Sequence, residues 1–374
     1  MPLNVLLVNW QDRENPQAGG AEVHLFEIFG RLAAAGHRVR MVCSGWAGAP
    51  GSAMVGGIAV RRVGRRNTFA FLGRRAVRRA IRVERPDVLV EDINKVPLFL
   101  ARQGVPFCAI VPHLFGETVF EEAPWPLAAA VWLAERPLPA AYRDSAFHVI
   151  SESTRDDLIG RGIPAAGIRV IHPGVDSVHL TPDPNGRRTP TPTFLYVGRL
   201  KRYKGIGLAI AALAAARRVR PDLRFVVAGA GDYLHELRRL ASEQGQVDAV
   251  DFRGFVTDAE KLDLFRASWA NLFPSPKEGW GITVVEAAAC GTPSIASDSP
   301  GLRDSVRHGE TGYLVPHGDV EALAARMLEL AASPDLVTRL GVAARRFAEG
   351  LTWEHAAAAT ERHLDDIIAG TAIR

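Results

Sequence analysis

Cysteine is scarce in this sequence. The 374 residues include three cysteines, Cys43, Cys108 and Cys290, which lie far apart and form neither a CxxC nor a paired His-Cys spacing. Zinc sites and disulfide frameworks both depend on cysteines at short, repeated spacings. We therefore expect three reduced thiols and no cysteine-bound metal.

Long apolar segments are also lacking. The longest candidate, at about 124–133, is interrupted by prolines, whereas a helix that spans a bilayer needs about 20 apolar residues. The N-terminal stretch MPLNVLLVNW has neither the basic flank nor the cleavage site of a signal peptide. These features predict a first strand at the N-terminus and a cytoplasmic protein that does not cross a membrane.

The charge is only mildly unbalanced, with a net value of +4, and much of the excess comes from Arg61–Arg85. A helix from about Phe69 to Val83 would place five arginines on one face: Arg74, Arg75, Arg78, Arg79 and Arg82. Such a face is either simply solvated or contacts an anionic surface, such as lipid headgroups or a phosphorylated acceptor. The second alternative predicts peripheral contact with the inner face of the cell membrane. No nucleic-acid partner is expected, because aromatic residues do not interleave with these arginines.

Short apolar runs alternate with helical patterns along the whole chain, as in NVLLV, HRVRMVC, DVLVED, TFLYV and LRFVV. This alternation predicts parallel strands joined by crossover helices. The proline-rich stretch TPDPNGRRTPTP separates two such series and indicates a linker. We predict two α/β, Rossmann-like, doubly wound domains at 1–178 and 179–352, with a C-terminal helix at about 353–374 that packs back on the first domain.

Loops that follow the strands are the natural ligand sites of such sheets, and two domains that face one another would form a cleft. The first of these loops ends in Gly19 and Gly20, immediately before an apolar helical pattern. Amides at a helix start favour a phosphate or another anion. The alternative is that the two glycines serve only the turn.

A second loop, GRLKRYKG, follows the first strand of the second series and carries Arg199 and Lys204. An arginine that grips two oxygens, with a lysine as a second charge, suits a diphosphate. The alternative interpretation is a pair of ordinary surface cations.

The most informative segment is FPSPKEGWGITVVEAAACGTP, which contains Glu278 in a loop and Glu286 in a helix. Gly279 and Gly281 allow the backbone to approach a ligand. Ionised carboxylates accept several hydrogen bonds at once, which suits sugar hydroxyls. The alternative is a turn residue and a solvated helix position.

This segment resembles the E-x7-E motif of family 4 retaining glycosyltransferases, which have the GT-B fold. Further segments that resemble the family occur in the family's order, including GGAE, RVIHPGVD, YVGRLKRYKG, VVAGAGD, FRGFV and HGETGYLVPHGD. The resemblance covers nearly all of the chain. It implies a retaining transfer of a hexosyl group from a nucleoside-diphosphate sugar, UDP- or GDP-linked, to a hydroxyl acceptor.

The resemblance also implies a role for each matching residue. Glu278 would hold hydroxyls of the donor sugar, Glu286 the ribose, and Arg199 with Lys204 the diphosphate. His113 matches the family position that touches the reacting sugar. The remaining donor contacts would come from Gly19, Gly20, Gly254, Phe255, Val256, Gly279, Trp280, Gly281, Ile282 and Thr283.

Two departures from the family pattern occur near the motif. Asp298–Asp304 replaces a common Gly-Gly pair, so this segment is left out of the predicted site, and Trp280 replaces a common phenylalanine. There is no Asp-x-Asp sequence, so we expect no metal and no other cofactor. The stretch GAGDYL lacks the third glycine of a dinucleotide fingerprint, which disfavours a dehydrogenase.

Other functions remain open at this point. A sugar phosphorylase or a nucleotide-sugar epimerase could share the fold, and a catalytically silent membrane-surface protein could use the arginine helix. The acceptor, small-molecule or lipid-linked, is not identified by the loops at 11–17, 90–96 and 113–126. The apolar segment FEEAPWPLAAAVWLAERPLP is interpreted as core or a lid rather than as a membrane-dipping helix.

Overall fold

The structure is a computed structural model that describes residues 1–122 and 124–372. Contacts between residues divide the chain into two units. Unit 1 contains Met1–Gly174 together with the segment that begins at Trp353, and unit 2 contains Val175–Thr352. Each unit is an α/β structure built on a parallel sheet, as the alternating sequence pattern predicted.

The sheet of unit 1 has eight strands in the order β3-β4-β2-β1-β5-β6-β7-β8. All neighbouring pairs are parallel except β3 with β4, which are antiparallel. The strands are β1 (Asn4–Val8), β2 (Arg38–Gly45), β3 (Ser52–Val55), β4 (Ile58–Arg65), β5 (Val88–Asp92), β6 (Phe107–Val111), β7 (Ala146–Val149) and β8 (Ile168–Val170).

Helices cover this sheet, and the last of them comes from the far end of the chain. Helix α14 packs against α1 and buries Trp353, Ala357 and Leu364. The helices of unit 1 are α1 (Gly20–Ala34), α2 (Phe69–Glu84), α3 (Val119–Glu122), α4 (Trp125–Glu135), α5 (Leu138–Ala141), α6 (Glu152–Gly160) and α14 (Trp353–Ile368).

Helix α2 has the polarity that the arginine spacing predicted. Phe69, Ala76, Val77 and Ala80 are buried against the sheet. The solvent-facing side contains the five predicted arginines and also three exposed apolar side chains. These exposed residues are Phe71, Leu72, Arg74, Arg75, Arg78, Arg79, Arg82 and Val83. The helix is therefore amphipathic, and its outer face mixes positive charge with apolar surface.

Helix α4 (Trp125–Glu135) belongs to the segment interpreted as core or a lid. Its side chains are apolar on nearly every face, yet Ala128 and Glu135 are its buried residues. Trp125 is 74% exposed, and Leu127 and Leu133 are also exposed. Trp125 is therefore not a core residue, and the lid interpretation stays a prediction. Within the described part of the chain, no helix has both the length and the apolar character needed to cross a membrane.

Three buried histidines lie where α1, β7 and α14 meet. His24 and His148 have ring centroids 5.4 Å apart, and His24 lies 6.2 Å from Trp353. Burial lowers the pKa of His24 and of His363 to about 4. Burial, followed by the nearby histidines, lowers the pKa of His148 well below its usual value. All three side chains are therefore neutral in the folded protein at neutral pH.

This cluster predicts a pH-dependent stability of unit 1. Between pH 6.5 and pH 4 the unfolded chain binds protons that the folded chain does not, so stability falls as the pH falls. The expected slope is about 1.4 kcal/mol per pH unit for each histidine. Hydrogen exchange of α14, corrected for intrinsic rates, should accelerate between about pH 7 and pH 5.

The variant His363→Leu should reduce this pH dependence of exchange. The control variant His235→Gln, at an exposed position, should leave it unchanged. Equal behaviour of both variants would contradict the assignment.

The sheet of unit 2 has six parallel strands in the order β11-β10-β9-β12-β13-β14. The central strands are buried on both faces, which explains continuous apolar runs such as TFLYV. The strands are β9 (Thr193–Val197), β10 (Arg224–Ala228), β11 (Val250–Gly254), β12 (Ala270–Phe273), β13 (Ser294–Ser297) and β14 (Gly312–Val315).

The helices of unit 2 pack around this sheet to form the largest apolar cluster of the protein, which contains Phe194, Phe225 and Met327. Thr257 and Asp319 cap two of the helices through their side chains. The helices are α7 (Ile206–Arg217), α8 (Leu234–Glu243), α9 (Asp258–Ala267), α10 (Ile282–Ala289), α11 (Leu302–Ser305), α12 (Val320–Ala332) and α13 (Pro334–Glu349).

Candidate functional site

The strand order of unit 2 reverses between β9 and β12. From β9 the chain moves outward to β10 and β11, and from β12 it moves the other way to β13 and β14. Ligands of open parallel sheets bind at such a reversal, beside the carboxyl ends of the strands. The loops that follow β9 and β12 are the two that carry Arg199, Lys204 and Glu278.

Lys204 and Glu278 form an ion pair at this reversal. The Lys204 Nζ lies 2.6 Å from Glu278 Oε1, and the two side chains are 11% and 13% exposed. Burial disfavours the charged form of Lys204, but the Glu278 carboxylate outweighs it and raises the pKa of Lys204. The structure therefore brings two residues that are 74 positions apart into one charged, half-enclosed site.

Arg199 provides a second positive charge beside this pair. Its side chain is exposed, and it forms no ion pair with any residue that the structure describes. Its charge opposes protonation of Lys204, which indicates that the two cations are close. The backbone carbonyl of Arg199 accepts a hydrogen bond from the buried Tyr196 hydroxyl at 3.1 Å, which anchors the loop.

Close contact between the two loops depends on Gly205. Its φ is +67°, and a Cβ atom there would lie 2.1 Å from the carbonyl oxygen of Pro274. A side chain at this position would push the β9 loop away from the β12 loop. The approach of Lys204 to Glu278 therefore rests on a glycine that directly follows the lysine.

The backbone of Glu278 is held by a segment that the sequence prediction left out. The Glu278 amide donates to the Pro300 carbonyl at 3.1 Å. Gly301, with φ of +79°, approaches so closely that a Cβ would lie 2.2 Å from the Glu278 carbonyl oxygen. The Ser299 hydroxyl donates to the Ser275 carbonyl at 2.9 Å. Asp298–Asp304 therefore supports the site, and its Pro-Gly dipeptide was the signal of a tight turn.

Glu286 lies on α10, which begins directly after the loop that contains Glu278. Its Oε1 is 3.0 Å from the Nζ of Lys261 on α9, a residue that sequence reasoning missed. Burial raises the pKa of Glu286, and the charge of Lys261 opposes this shift. The other predicted residues at the start of α10 are Gly279, Trp280, Gly281, Ile282 and Thr283, of which Trp280 and Gly281 are buried.

The predicted base-contacting segment follows β11. The Phe255 ring is 83% exposed, whereas Val256 is partly buried against the core. The Gly254 carbonyl accepts from the Gly229 amide at 2.6 Å, which joins the loops after β11 and β10. A Cβ at Gly229 would lie 1.8 Å from the Gly198 carbonyl oxygen. The loops after β9, β10 and β11 are therefore packed backbone against backbone.

In unit 1 the strand order reverses between β1 and β5, and Gly19 and Gly20 lie in the loop that follows β1. The Gly19 amide donates to Glu22 Oε2 at 2.7 Å. Glu22 also accepts from Asn94 at 3.1 Å and lies 3.7 Å from the Nζ of Lys95. One amide of the predicted anion site is therefore already satisfied by a side chain of the same helix.

His113 follows β6, and its ring lies 5.2 Å from the Phe115 ring. The loop after it is fixed by Glu135, which is 1% exposed. Glu135 accepts hydrogen bonds from the amides of Phe115 at 2.8 Å and Gly116 at 2.9 Å. His113 thus lies two residues beyond the end of β6, on a loop whose backbone is held in place by a buried carboxylate.

The described residues contain no cluster of three or more His, Cys, Asp or Glu side chains suited to hold a metal ion. The charged groups at the strand-order reversal of unit 2 are instead two cations and two carboxylates, with Lys261 behind Glu286.

Two family models match the chain. The model described as Glycosyltransferase Family 4 matches residues 18–179, and the model described as Glycosyl transferases group 1 matches residues 180–347. A curated relative from Mycolicibacterium smegmatis is a GDP-mannose-dependent alpha-(1-6)-phosphatidylinositol monomannoside mannosyltransferase. It is 34% identical over 217 residues, which cover 53% of this chain and 56% of the relative. The chain spans about half the length of the curated relatives it matches.

Solved structures share the fold. Sucrose-phosphate synthase from Thermosynechococcus elongatus superposes with a TM-score of 0.82 at 24% identity, and the match covers 98% of this chain and 99% of that one. An Anabaena protein solved in complex with UDP-glucose gives a TM-score of 0.76 at 18% identity, covering 97% and 100% of the two chains. At these identities the likeness is one of fold.

Proposed function

Because the chain belongs to glycosyltransferase family 4, with the GT-B fold, we propose that it transfers a hexosyl group from a nucleoside-diphosphate sugar to a hydroxyl acceptor. The anomeric configuration is retained, and no metal ion is required. The donor is a UDP- or GDP-sugar, bound by unit 2.

The observation that carries this proposal is the pairing of Lys204 with Glu278 at 2.6 Å, beside Arg199. A carboxylate there accepts from sugar hydroxyls, while the two cations meet the diphosphate to which the sugar is attached. One site thus provides a hydrogen-bond acceptor for the sugar and positive charge for the diphosphate, the two groups that are joined by the bond that breaks.

In the proposed reaction, the acceptor oxygen attacks the anomeric carbon on the face from which the diphosphate leaves. The bond from the anomeric carbon to the acceptor oxygen forms, the bond to the diphosphate oxygen breaks, and a diphosphate oxygen takes the acceptor proton. Arg199, Lys204 and the amides at Gly279–Thr283 stabilise the leaving charge. Glu278 orients the sugar. No side chain is assigned as a nucleophile.

The choice between uridine and guanosine donors is left to experiment, because the comparisons support both. The M. smegmatis relative is named for GDP-mannose, and the Anabaena structure contains UDP-glucose. A thermal-shift screen with UDP, GDP and their sugars identifies the donor, because a ligand that binds the folded state raises its stability.

Product analysis tests the proposal. The protein is incubated with the donor found in the screen and with a panel of simple glycosides, myo-inositol and phosphatidylinositol. Nucleoside diphosphate should be released only with a competent acceptor, the product should have the anomeric configuration of the donor by NMR, and EDTA should leave the rate unchanged. Inversion, or loss of activity in EDTA that a divalent cation restores, would refute the corresponding part of the proposal.

The same experiment separates the rival functions. A phosphorylase would form a sugar phosphate from inorganic phosphate, and an epimerase would change the nucleotide sugar without an acceptor. A silent binding protein would show neither reaction and would release no nucleotide.

We further propose that the outer face of α2 contacts anionic lipid. Each arginine near an anionic surface contributes about 1 kcal/mol of binding free energy, and Phe71 and Val83 add exposed apolar surface. The triple variant Arg75→Gln, Arg78→Gln, Arg79→Gln should therefore bind phosphatidylglycerol vesicles about 10²-fold more weakly in sedimentation.

The matched control removes the same charge from exposed positions in unit 2, with Arg218→Gln, Arg238→Gln and Arg346→Gln. This control should retain binding. Equal loss in both triple variants would show that net charge, and not the α2 face, is responsible.

A further inference from the structure

The two glutamates of the donor site each contact one lysine, but the two pairs are built differently. Glu278 contacts Lys204, which lies in the loop assigned to the diphosphate. Glu286 contacts Lys261, which lies on α9 and has no place in the proposed reaction. The Lys261 side chain is 20% exposed and that of Glu286 is 16% exposed. A largely buried lysine is therefore placed directly behind the carboxylate assigned to the ribose.

Lys261 has two carboxylate neighbours, and they are not equivalent. Its Nζ is 3.0 Å from Glu286 Oε1 and 3.4 Å from Asp258 Oδ1. Asp258 is fully exposed, with a relative side-chain exposure of 101%, so water screens its charge. Glu286 is enclosed, and its interaction with Lys261 is the stronger one.

The pairing matters because Glu286 has two oxygens that only accept hydrogen bonds when it is ionised, whereas protonation turns one of them into an O–H donor. An enclosed carboxyl group tends towards the neutral form. A positive charge at 3.0 Å favours the ionised form and fixes the orientation of the group by occupying one of its oxygens. Oε2 is then left to accept from a ligand.

We propose that Lys261 is the positioning residue of the nucleoside end of the donor site: it holds Glu286 by Oε1 so that the carboxylate accepts a hydrogen bond from the 2′-hydroxyl of the ribose. This inference rests on the proposed donor site. It predicts that the protein distinguishes a ribonucleotide from its 2′-deoxy analogue, and that Lys261 is required for the distinction.

The test compares wild type with Lys261→Met, which keeps the length of the side chain but removes the charge. Calorimetry measures the affinity for GDP and 2′-deoxy-GDP, or for UDP and 2′-deoxy-UDP if the donor is a uridine sugar. Loss of one hydrogen bond to a charged group costs about 1.5–3 kcal/mol, so wild type should prefer the ribonucleotide by at least about 10-fold. Lys261→Met should reduce this preference to about 2-fold or less.

Steady-state kinetics provide a second readout that a purely structural role would not give. Lys261→Met should raise the donor KM by about 10-fold with kcat little changed, because the ribose contact is made equally in ground state and transition state. As the pH is lowered, the donor affinity of this variant should also decline at a higher pH than that of wild type, since Glu286 then protonates more easily. Lys261→Arg should restore the preference and the pH profile, and Asp258→Asn should leave both unchanged.

Unchanged nucleotide preference in Lys261→Met would overturn the inference, as would a fall in kcat at constant KM. Glu286→Gln separates this failure from failure of the donor site itself. If Glu286→Gln weakens nucleotide binding and Lys261→Met does not, the inference about Lys261 is wrong and the donor site stands. If neither change affects binding, the assignment of Glu286 to the donor is wrong as well.

Discussion

Replacing Lys204 with alanine is expected to lower kcat by about 10²- to 10³-fold, the usual loss when one group that stabilises developing charge is removed. In the proposed reaction, negative charge grows on the diphosphate as the bond to the sugar breaks. The Lys204 ammonium is 2.6 Å from Glu278 and largely enclosed. Water therefore compensates poorly for the loss of its positive charge beside the diphosphate. The same change leaves the Glu278 carboxylate without its partner, which adds a cost to the folded state.

The measurement is single-turnover kinetics with the donor identified by thermal shift, because this isolates the chemical step. Lys204→Arg keeps the charge and should retain more activity than Lys204→Ala. Combining Lys204→Ala with Glu278→Gln should cost less than the sum of the two single changes, because both belong to one pair. A kcat for Lys204→Ala within about 3-fold of wild type would contradict the assignment, since a transition-state contact of this kind is worth far more.

Gly301→Ala is expected to cause the second large loss, although Gly301 lies outside the predicted ligand contacts. Its φ of +79° disfavours any side chain, and the new Cβ would lie 2.2 Å from the Glu278 carbonyl oxygen. The Glu278 backbone must therefore move. A displacement of about 1 Å at a substrate-positioning group can cost about 10²-fold in rate, so kcat/KM should fall by about this factor.

Gly309→Ala is the matched control for this prediction. Gly309 has a φ of +76°, and no heavy atom of its surroundings lies within 4 Å of the position that a Cβ would occupy. The substitution therefore places a side chain at a similarly positive φ but causes no collision. Both variants should lower the thermal midpoint, and Gly301→Ala alone should lose activity. If the two variants retain equal activity, the position of Glu278 does not depend on Gly301.

The parallel sheets of both units could be predicted because their strands have strong local patterns. Runs such as DVLVE and TFLYV are short, apolar and flanked by helical sequence, which is typical of strands buried on both faces. Helix α2 was predicted at about Phe69–Val83 and is observed at Phe69–Glu84, because its arginines and small apolar residues alternate with a helical period.

The β3–β4 hairpin was missed although its signal was present. The sequence SAMVGGIAV contains two short runs separated by Gly56 and Gly57, a typical two-residue hairpin. Both glycines have positive φ, at 53° and 80°, as a type I′ turn requires. The arginine-rich stretch that begins at Arg61 was interpreted through the helix predicted at about Phe69–Val83. The strand that runs to Arg65 was therefore not predicted.

The contacts around the glutamates could be predicted only in part. Lys204 and Glu278 were identified because each lies in a loop with a distinctive local sequence. Lys261 was not, because it is 25 positions from Glu286 and sits in an ordinary helical segment. A contact between side chains on two different helices is set by how the helices pack, and local sequence does not encode this.

The position of α14 in unit 1 also has a consequence for how the chain is made. Arg31 on α1 and Glu354 on α14 are 323 positions apart, yet their side chains lie 2.9 Å from each other. Unit 2 is one continuous segment, so all of its residues are synthesised before α14. The surface of α1 that α14 covers therefore stays exposed until residues 353–368 have been synthesised and can pack on it. Synthesis of unit 1 therefore begins before that of unit 2 and ends after it.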